Sequence, residues 1–167
     1  MRKILIATLT GAVMVSGVAQ AVNTTTTTFT VTATVQSTCS ATAAALAFPV
    51  YTPGAGPQIG STTISVKCTK NTPFTVALNA GSTAGDAFAQ RLMASGGNTL
   101  QYNLYTTAAF ATVFGDGTPG SATVNGTGLG VATAASVPVF GQLPDSATNQ
   151  AAVPGSYSDL ITVTVSY

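Results

Sequence analysis

From Tyr157 to Tyr167 the sequence alternates with period two. Tyr157, Asp159, Ile161, Val163, Val165 and Tyr167 fall on one face; Ser158, Leu160, Thr162, Thr164 and Ser166 fall on the other. This is the pattern of a half-buried β-strand, and a strand needs neighbours along both edges, because each edge carries backbone donors and acceptors. No strand follows Tyr167 in the sequence, so one edge is expected to be open.

The other end of the sequence poses the converse problem. Thr28 to Cys39 reads TFTVTATVQSTC, with Phe29, Val31, Ala33 and Val35 on one side and Thr30, Thr32, Thr34 and Gln36 on the other. A tract of threonines, Thr24 to Thr28, precedes it, and no turn signal marks a hairpin partner beside it. Two arrangements join these loose ends. The first strand can fold back beside the last within one domain, as β-proteins often do. Alternatively it can be laid on the exposed sheet edge of the next copy, a head-to-tail addition that does not close and so makes a fibre. The residues alone leave both open.

Between the two ends lie short alternating runs separated by Gly, Pro, Asn and Asp, the signature of an all-β sandwich or barrel. Ala44 to Tyr51 is a strand candidate broken by Pro49, and Thr52 to Gly60 reads as a loop. Ser61 to Cys68 and Phe74 to Leu78 alternate on either side of the turn residues Asn71-Thr72-Pro73 and are expected to pair as a hairpin. A second hairpin is expected where Gly96-Gly97-Asn98 separates Arg91–Met93 from the run holding Leu100, Tyr102 and Leu104. Thr118 to Gly130 is loop or edge strand, Val137 to Phe140 is a short strand, and Gln142 to Gly155 is a polar connection.

Residues 1–21 read as an export signal: Arg2 and Lys3 lead an apolar run from Ile4 to Val18, followed by Ala19-Gln20-Ala21, a small-x-small cleavage site. The segment is shorter than a comfortable bilayer span. The mature chain then begins at Val22, with residues 22–36 an arm and 37–167 one domain. Its charges are Lys67, Lys70 and Arg91 against Asp86, Asp116, Asp145 and Asp159, a net −1 that excludes phosphate-neutralising nucleic-acid binding. Only 5% of the sequence is charged, so little repulsion keeps copies apart.

Cys39 and Cys68 are the only cysteines, and in an oxidising compartment they are expected to form one disulfide. Closing a loop of about 30 residues, it is worth about 3.5 kcal/mol in the chain-entropy description. A metal site is disfavoured, because there is no histidine and two thiolates do not complete a tetrahedral shell. The absence of histidine and glutamate also argues against catalysis; no catalytic, cofactor-binding or metal-binding residue is assigned and no cofactor is expected. Asp116 between two glycines reads as a turn residue, and Asp159 as a partner for a neighbouring loop. An outer-membrane β-barrel shares the alternating, aromatic-ended final strand, but the aromatic residues are too few for two girdles.

The pattern resembles the spore coat protein U domain as it occurs in pilins of archaic, Csu-type chaperone–usher fimbriae. Matching residues are Cys39, Phe48, Tyr51, Cys68-Thr69-Lys70-Asn71-Thr72-Pro73-Phe74 and Leu100-Gln101-Tyr102-Asn103-Leu104-Tyr105. Further on they are Gly115-Asp116-Gly117, Val139-Phe140-Gly141, Pro154-Gly155-Ser156-Tyr157-Ser158-Asp159 and Val163-Thr164-Val165-Ser166-Tyr167. Pro49 and Phe114 depart from it, standing where the family often has glycine and tryptophan. The resemblance implies an incomplete immunoglobulin-like β-sandwich completed by a donor strand from a neighbouring subunit. Phe29, Val31, Ala33 and Val35 would be the donor residues, and Ile161, Val163, Val165 and Tyr167 would line the acceptor groove. It further implies a homopolymer, most like the major rod subunit, built with a periplasmic chaperone and an outer-membrane usher. The product would be a surface fimbria of a Gram-negative bacterium, used for attachment and biofilm formation. A self-complemented coat protein, a minor adaptor and a tip adhesin are the other expectations weighed.

Overall fold

The computed structural model describes residue 17 and residues 20–167. The expected export signal lies almost wholly outside the described residues. Val35–Tyr167 is one compact body, and the residues before Val35 belong to a separate unit. Within that unit, residues 22–34 carry no strand, and Phe29 and Val31 are 87% and 81% exposed. A strand is defined by its ladder, so an apolar alternation without a partner registers as none.

The body holds eight strands and one helical turn: β1 Cys39–Ala43, β2 Gln58–Cys68, β3 Pro73–Leu78, β4 Arg91–Ser95, β5 Asn98–Tyr105, β6 Val124–Thr127, β7 Ala135–Leu143, α1 Ala147–Gln150 and β8 Val163–Ser166. They form two antiparallel sheets, one of order β1-β2-β7-β5-β4 and one of order β6-β3-β8. The alternation explains why they stack. Ile64, Val66 and Cys68 of β2 and Val137, Val139 and Leu143 of β7 are buried on the inner face of the larger sheet. They meet Phe74, Val76 and Leu78 of β3 in a single core that also holds Leu100, Tyr102, Leu104 and Phe114. Each such side chain contributes about 1.5–3 kcal/mol on burial. This is an incomplete immunoglobulin-like sandwich, all-β as expected.

The hairpin of β4 and β5 forms with Ser95 opposite Asn98, and Gly96 takes φ +59 at the first position of the two-residue loop, where tight hairpin turns demand it. The weakly patterned glycine-rich stretch contains an edge strand, β6.

Three expectations are corrected. First, β2 and β3 do not pair as a hairpin, because β2 lies between β1 and β7, and β3 between β6 and β8. Their apolar rows face each other across the core instead of lying side by side. Thr69–Thr72 carries the chain between sheets, with Asn71 at φ +63 and its N–H donating to Gly128 O. Second, the strand expected in Ala44–Tyr51 lies just upstream as β1, and β2 begins at Gln58, within the expected loop. Third, the alternation from Tyr157 to Tyr167 is not one strand. Ser158 bridges Ala94 at the edge of the larger sheet, the chain then crosses over, and only Val163–Ser166 pairs with β3. The inward row persists through the crossing, with Tyr157, Asp159, Ile161, Val163 and Val165 half-buried and their neighbours exposed.

Cys39 and Cys68 are bonded, as expected, directly opposite in the β1–β2 ladder with Cα atoms 4.1 Å apart.

Candidate functional site

Each sheet ends on a strand with one free edge facing the same gap: β1 for the larger sheet and β8 for the smaller. β1 is antiparallel to β2 and β8 to β3, while the chain reverses between β2 and β3. The two free edges therefore run in opposite directions. An added strand would be antiparallel to one and parallel to the other whichever way it entered.

Between these edges lies an apolar groove of about 470 Å³. Its floor is the core itself, Ile64, Leu78, Leu104 and Val139, and its walls are Ala43–Leu46 on one side and Tyr157–Ile161 with Val163 on the other. Of the acceptor residues expected from sequence, Ile161 and Val163 line this groove. Val165 is half-buried against the core and Tyr167 is 60% exposed beyond the end of β8.

The β1 side has a feature that periodicity does not reveal. After Ala43 the chain leaves the ladder, and Leu46 and Phe48 lean onto the inner face of the larger sheet over Gly60 and Gly141, which are opposite each other in β2 and β7. A Cβ on Gly141 would come within 2.9 Å of Phe48 Cζ, and one on Gly60 within 2.9 Å of Ala47 O. Both positions must be glycine for this segment to dock. Phe48 then meets the Tyr102 ring edge-on, with centroids 6.1 Å apart.

The Tyr157–Ile161 wall is held by polar groups. Asp159 Oδ2 accepts from Tyr102 O–H at 2.6 Å, while Oδ1 accepts from Ser82 N–H, Ser82 O–H and Leu160 N–H at 2.9, 3.0 and 2.8 Å. Partial burial opposes ionisation of Asp159, but the bonds from Tyr102 and Ser82 outweigh it and its pKa lies below the usual carboxylate value. The Tyr102 phenol, buried against that carboxylate, is pushed far up. Next along the chain, Thr162 exchanges bonds with Asn79, N–H to Asn79 Oδ1 at 2.9 Å and C=O from Asn79 N–H at 3.1 Å. Asn79 is in turn fixed by the fully buried Arg91, whose Nη2 donates to Asn79 O and to Phe114 O, both at 2.7 Å. Burial lowers the Arg91 pKa, and nearby Tyr102, Asp159 and Asp86 offset this only in part. The crossing that closes this side of the groove is thus clamped to both sheets.

At the opposite end of β7, Asp145 accepts from Tyr51 O–H at 2.5 Å and from the N–H groups of Gly54 and Gly56, fastening the 51–57 loop. Burial and then Asp145 raise the Tyr51 pKa to about 12. Asp116 accepts from Thr118 N–H and O–H, the turn role expected of it. Among the described residues no group of three or more His, Cys, Asp or Glu could hold a metal ion, and no helix is long and apolar enough to cross a membrane.

An all-β body whose two sheets turn one free edge each toward a shared apolar trough is a sandwich short of one strand. Residues 25–164 match the Spore Coat Protein U domain, and the chain belongs to that family. It is a structural protein and not an enzyme. Among solved structures it is similar to a chain from the CsuC–CsuE chaperone–tip adhesion subunit pre-assembly complex of archaic chaperone–usher Csu pili of Acinetobacter baumannii. The identity is 23% and the TM-score 0.53, over 80% of this chain and 41% of that one, so it spans well under half of that chain's length. A chain from a chaperone–tip adhesin complex of CFA/I fimbriae biogenesis matches at 13% identity and a TM-score of 0.39, over 73% of this chain and 37% of that one. No curated protein matches the sequence.

Proposed function

We propose that the protein is a pilin subunit that polymerises by donor-strand exchange into a surface fimbria. Phe29, Val31, Ala33 and Val35 of one copy occupy the groove between β1 and β8 of the next. The observation that carries this reading is the pair of antiparallel free edges bordering an apolar trough. An extended segment there gains a backbone ladder on both sides. Burial of Phe29, Val31 and Val35, all more than 80% exposed, adds about 1.5–3 kcal/mol each. Ala33 adds less and suits a shallow part of the trough.

Before assembly a periplasmic chaperone lends the missing strand and an outer-membrane usher exchanges it for the arm. The Csu pre-assembly complex, a chaperone holding a tip subunit of similar fold, supports the first of these partners. A donor arm and an acceptor groove in one chain suit a major rod subunit, which must both give and receive a strand, and the fibre would serve attachment and biofilm formation. Deleting Val22–Val35 tests the reading: the truncated subunit is expected to fold with its chaperone and to form no fibres. Fibres from the truncated chain would refute it.

A further inference from the structure

We propose that the loop Gly128–Val131 is a second contact between successive copies, seated against the copy whose groove receives the arm. The inference rests on the donor-strand reading and adds a surface to it.

The arm has little slack. Upstream of β1 the chain is already tied to its own body. Thr69 N–H donates to Thr38 O at 3.0 Å, Thr38 N–H donates to Thr69 Oγ1 at 3.0 Å, and the Thr69 hydroxyl has Thr38 O at 3.3 Å and Gln36 O at 3.4 Å as its two acceptors. Val35, the last donor residue, directly precedes Gln36, and adjacent Cα atoms are about 3.8 Å apart. With Val35 inside the neighbour's groove and Thr38 fastened to its own body, Gln36 and Ser37 are the whole linker. The two bodies must therefore abut at whatever surrounds Thr69, and this holds for either direction in which the arm enters.

What surrounds Thr69 is the 128–131 loop. Asn71 N–H donates to Gly128 O and Gly128 N–H to Thr72 O, both at 2.8 Å, and Gly130 N–H donates to Cys68 O at 3.1 Å. Gly128 is buried so tightly that a Cβ there would collide with Thr69 O and Cys68 Cβ. From this rigid mount Leu129 and Val131 project 54% and 60% exposed. An apolar pair held in fixed backbone, at the one place where the next body has to be, is complementary to an apolar or neutral protein surface with low ordering cost. A second copy of this chain, with its few charges, presents such a surface.

Hydroxyl-radical footprinting of assembled fibres and of the chaperone-bound subunit tests this, with Ile59 as internal reference. Ile59 is 58% exposed and lies at the far end of β2 from Cys68. In fibres, Leu129 and Val131 are expected to be modified about fivefold less than Ile59, as residues drawn into a desolvated interface are, and comparably to it in the chaperone-bound subunit. Equal modification in fibres overturns the proposal, as does protection of the same size before assembly, which would assign the loop to the chaperone. Replacing Leu129→Ser together with Val131→Ser should leave arm-dependent assembly intact and lower fibre bending stiffness severalfold; unchanged stiffness also counts against the contact. Polymerisation of the arm-deleted chain would refute the donor reading itself, whereas arm-dependent fibres with freely modified Leu129 would refute only this second contact.

Discussion

The bond between Tyr102 and Asp159 should be the strongest single polar link holding the groove wall. Its O···O distance is 2.6 Å, Tyr102 is 5% exposed, and the acceptor is an ionised carboxylate with further donors from Ser82 and Leu160. Tyr102→Phe removes one charge-assisted bond and leaves Asp159 its other partners, so it should cost about 1.5–2 kcal/mol. Asp159→Ala removes all of them and leaves the buried Tyr102 hydroxyl without its acceptor, costing about 3–5 kcal/mol. In the double variant that orphan hydroxyl is gone. The total should then fall short of the sum by about 1.5–3 kcal/mol. For a body of this size that shortfall is about 5–10 °C of melting temperature, readable by thermal unfolding of the chaperone-bound subunit. Additive losses within about 0.5 kcal/mol would mean that the two groups are not coupled and that Tyr102 does not clamp the wall.

Other expectations concern separate parts of the molecule. Val31→Asp places a charge where an apolar groove would receive it and should abolish assembly while leaving the chaperone-bound subunit soluble, as judged by fibre yield against monomer yield. Cys39→Ser should lower stability by about 3.5 kcal/mol, and intact-mass measurement of the wild-type protein should find no free thiols. Gly141→Ala should destabilise by about 1–3 kcal/mol, since its Cβ would press on Phe48 and Leu46. The raised Tyr51 pKa stabilises the protonated phenol, so its contribution is complete below about pH 10 and is lost as pH rises toward about 12. Absorbance of tyrosinate near 295 nm should show a late-titrating phenol that Asp145→Asn brings earlier. The depressed Asp159 carboxyl acts in the other direction. Its contribution is present above about pH 4 and fades as pH falls through the folded value.

Much of the body was legible because periodicity reports burial directly. Ile64, Val66 and Cys68, then Phe74, Val76 and Leu78, read as inward rows and are buried, and the Gly96-Gly97 turn announced the β4–β5 hairpin. Periodicity does not say which sheet a strand joins, so adjacent rows read as a hairpin although they face each other across the core. The last strand shows the same limit. Its alternation survives from Tyr157 to Val165, yet its backbone bonds pass from Ala94 at Ser158 to β3 at Val163, and the Asp159 carboxylate that holds the crossing gives no period of its own. In the groove, Ile161 and Val163 were legible as inward residues of an edge strand. Leu46 and Phe48 were not, because Pro49 breaks their pattern and their seats on Gly60 and Gly141 exist only once β2 and β7 are paired.

The Cys39–Cys68 bridge also determines how a pull would travel through the molecule. Tension arriving from the amino-terminal side reaches Cys39 almost at once, at the first residue of the short edge strand β1. Held there only by ladder bonds, β1 would unzip one bond at a time. The covalent link passes the load sideways into β2, the longest strand, which is flanked on both sides. Its backbone bonds would then be sheared together, which makes the bridge a strain relief for anything hauled by its leading end.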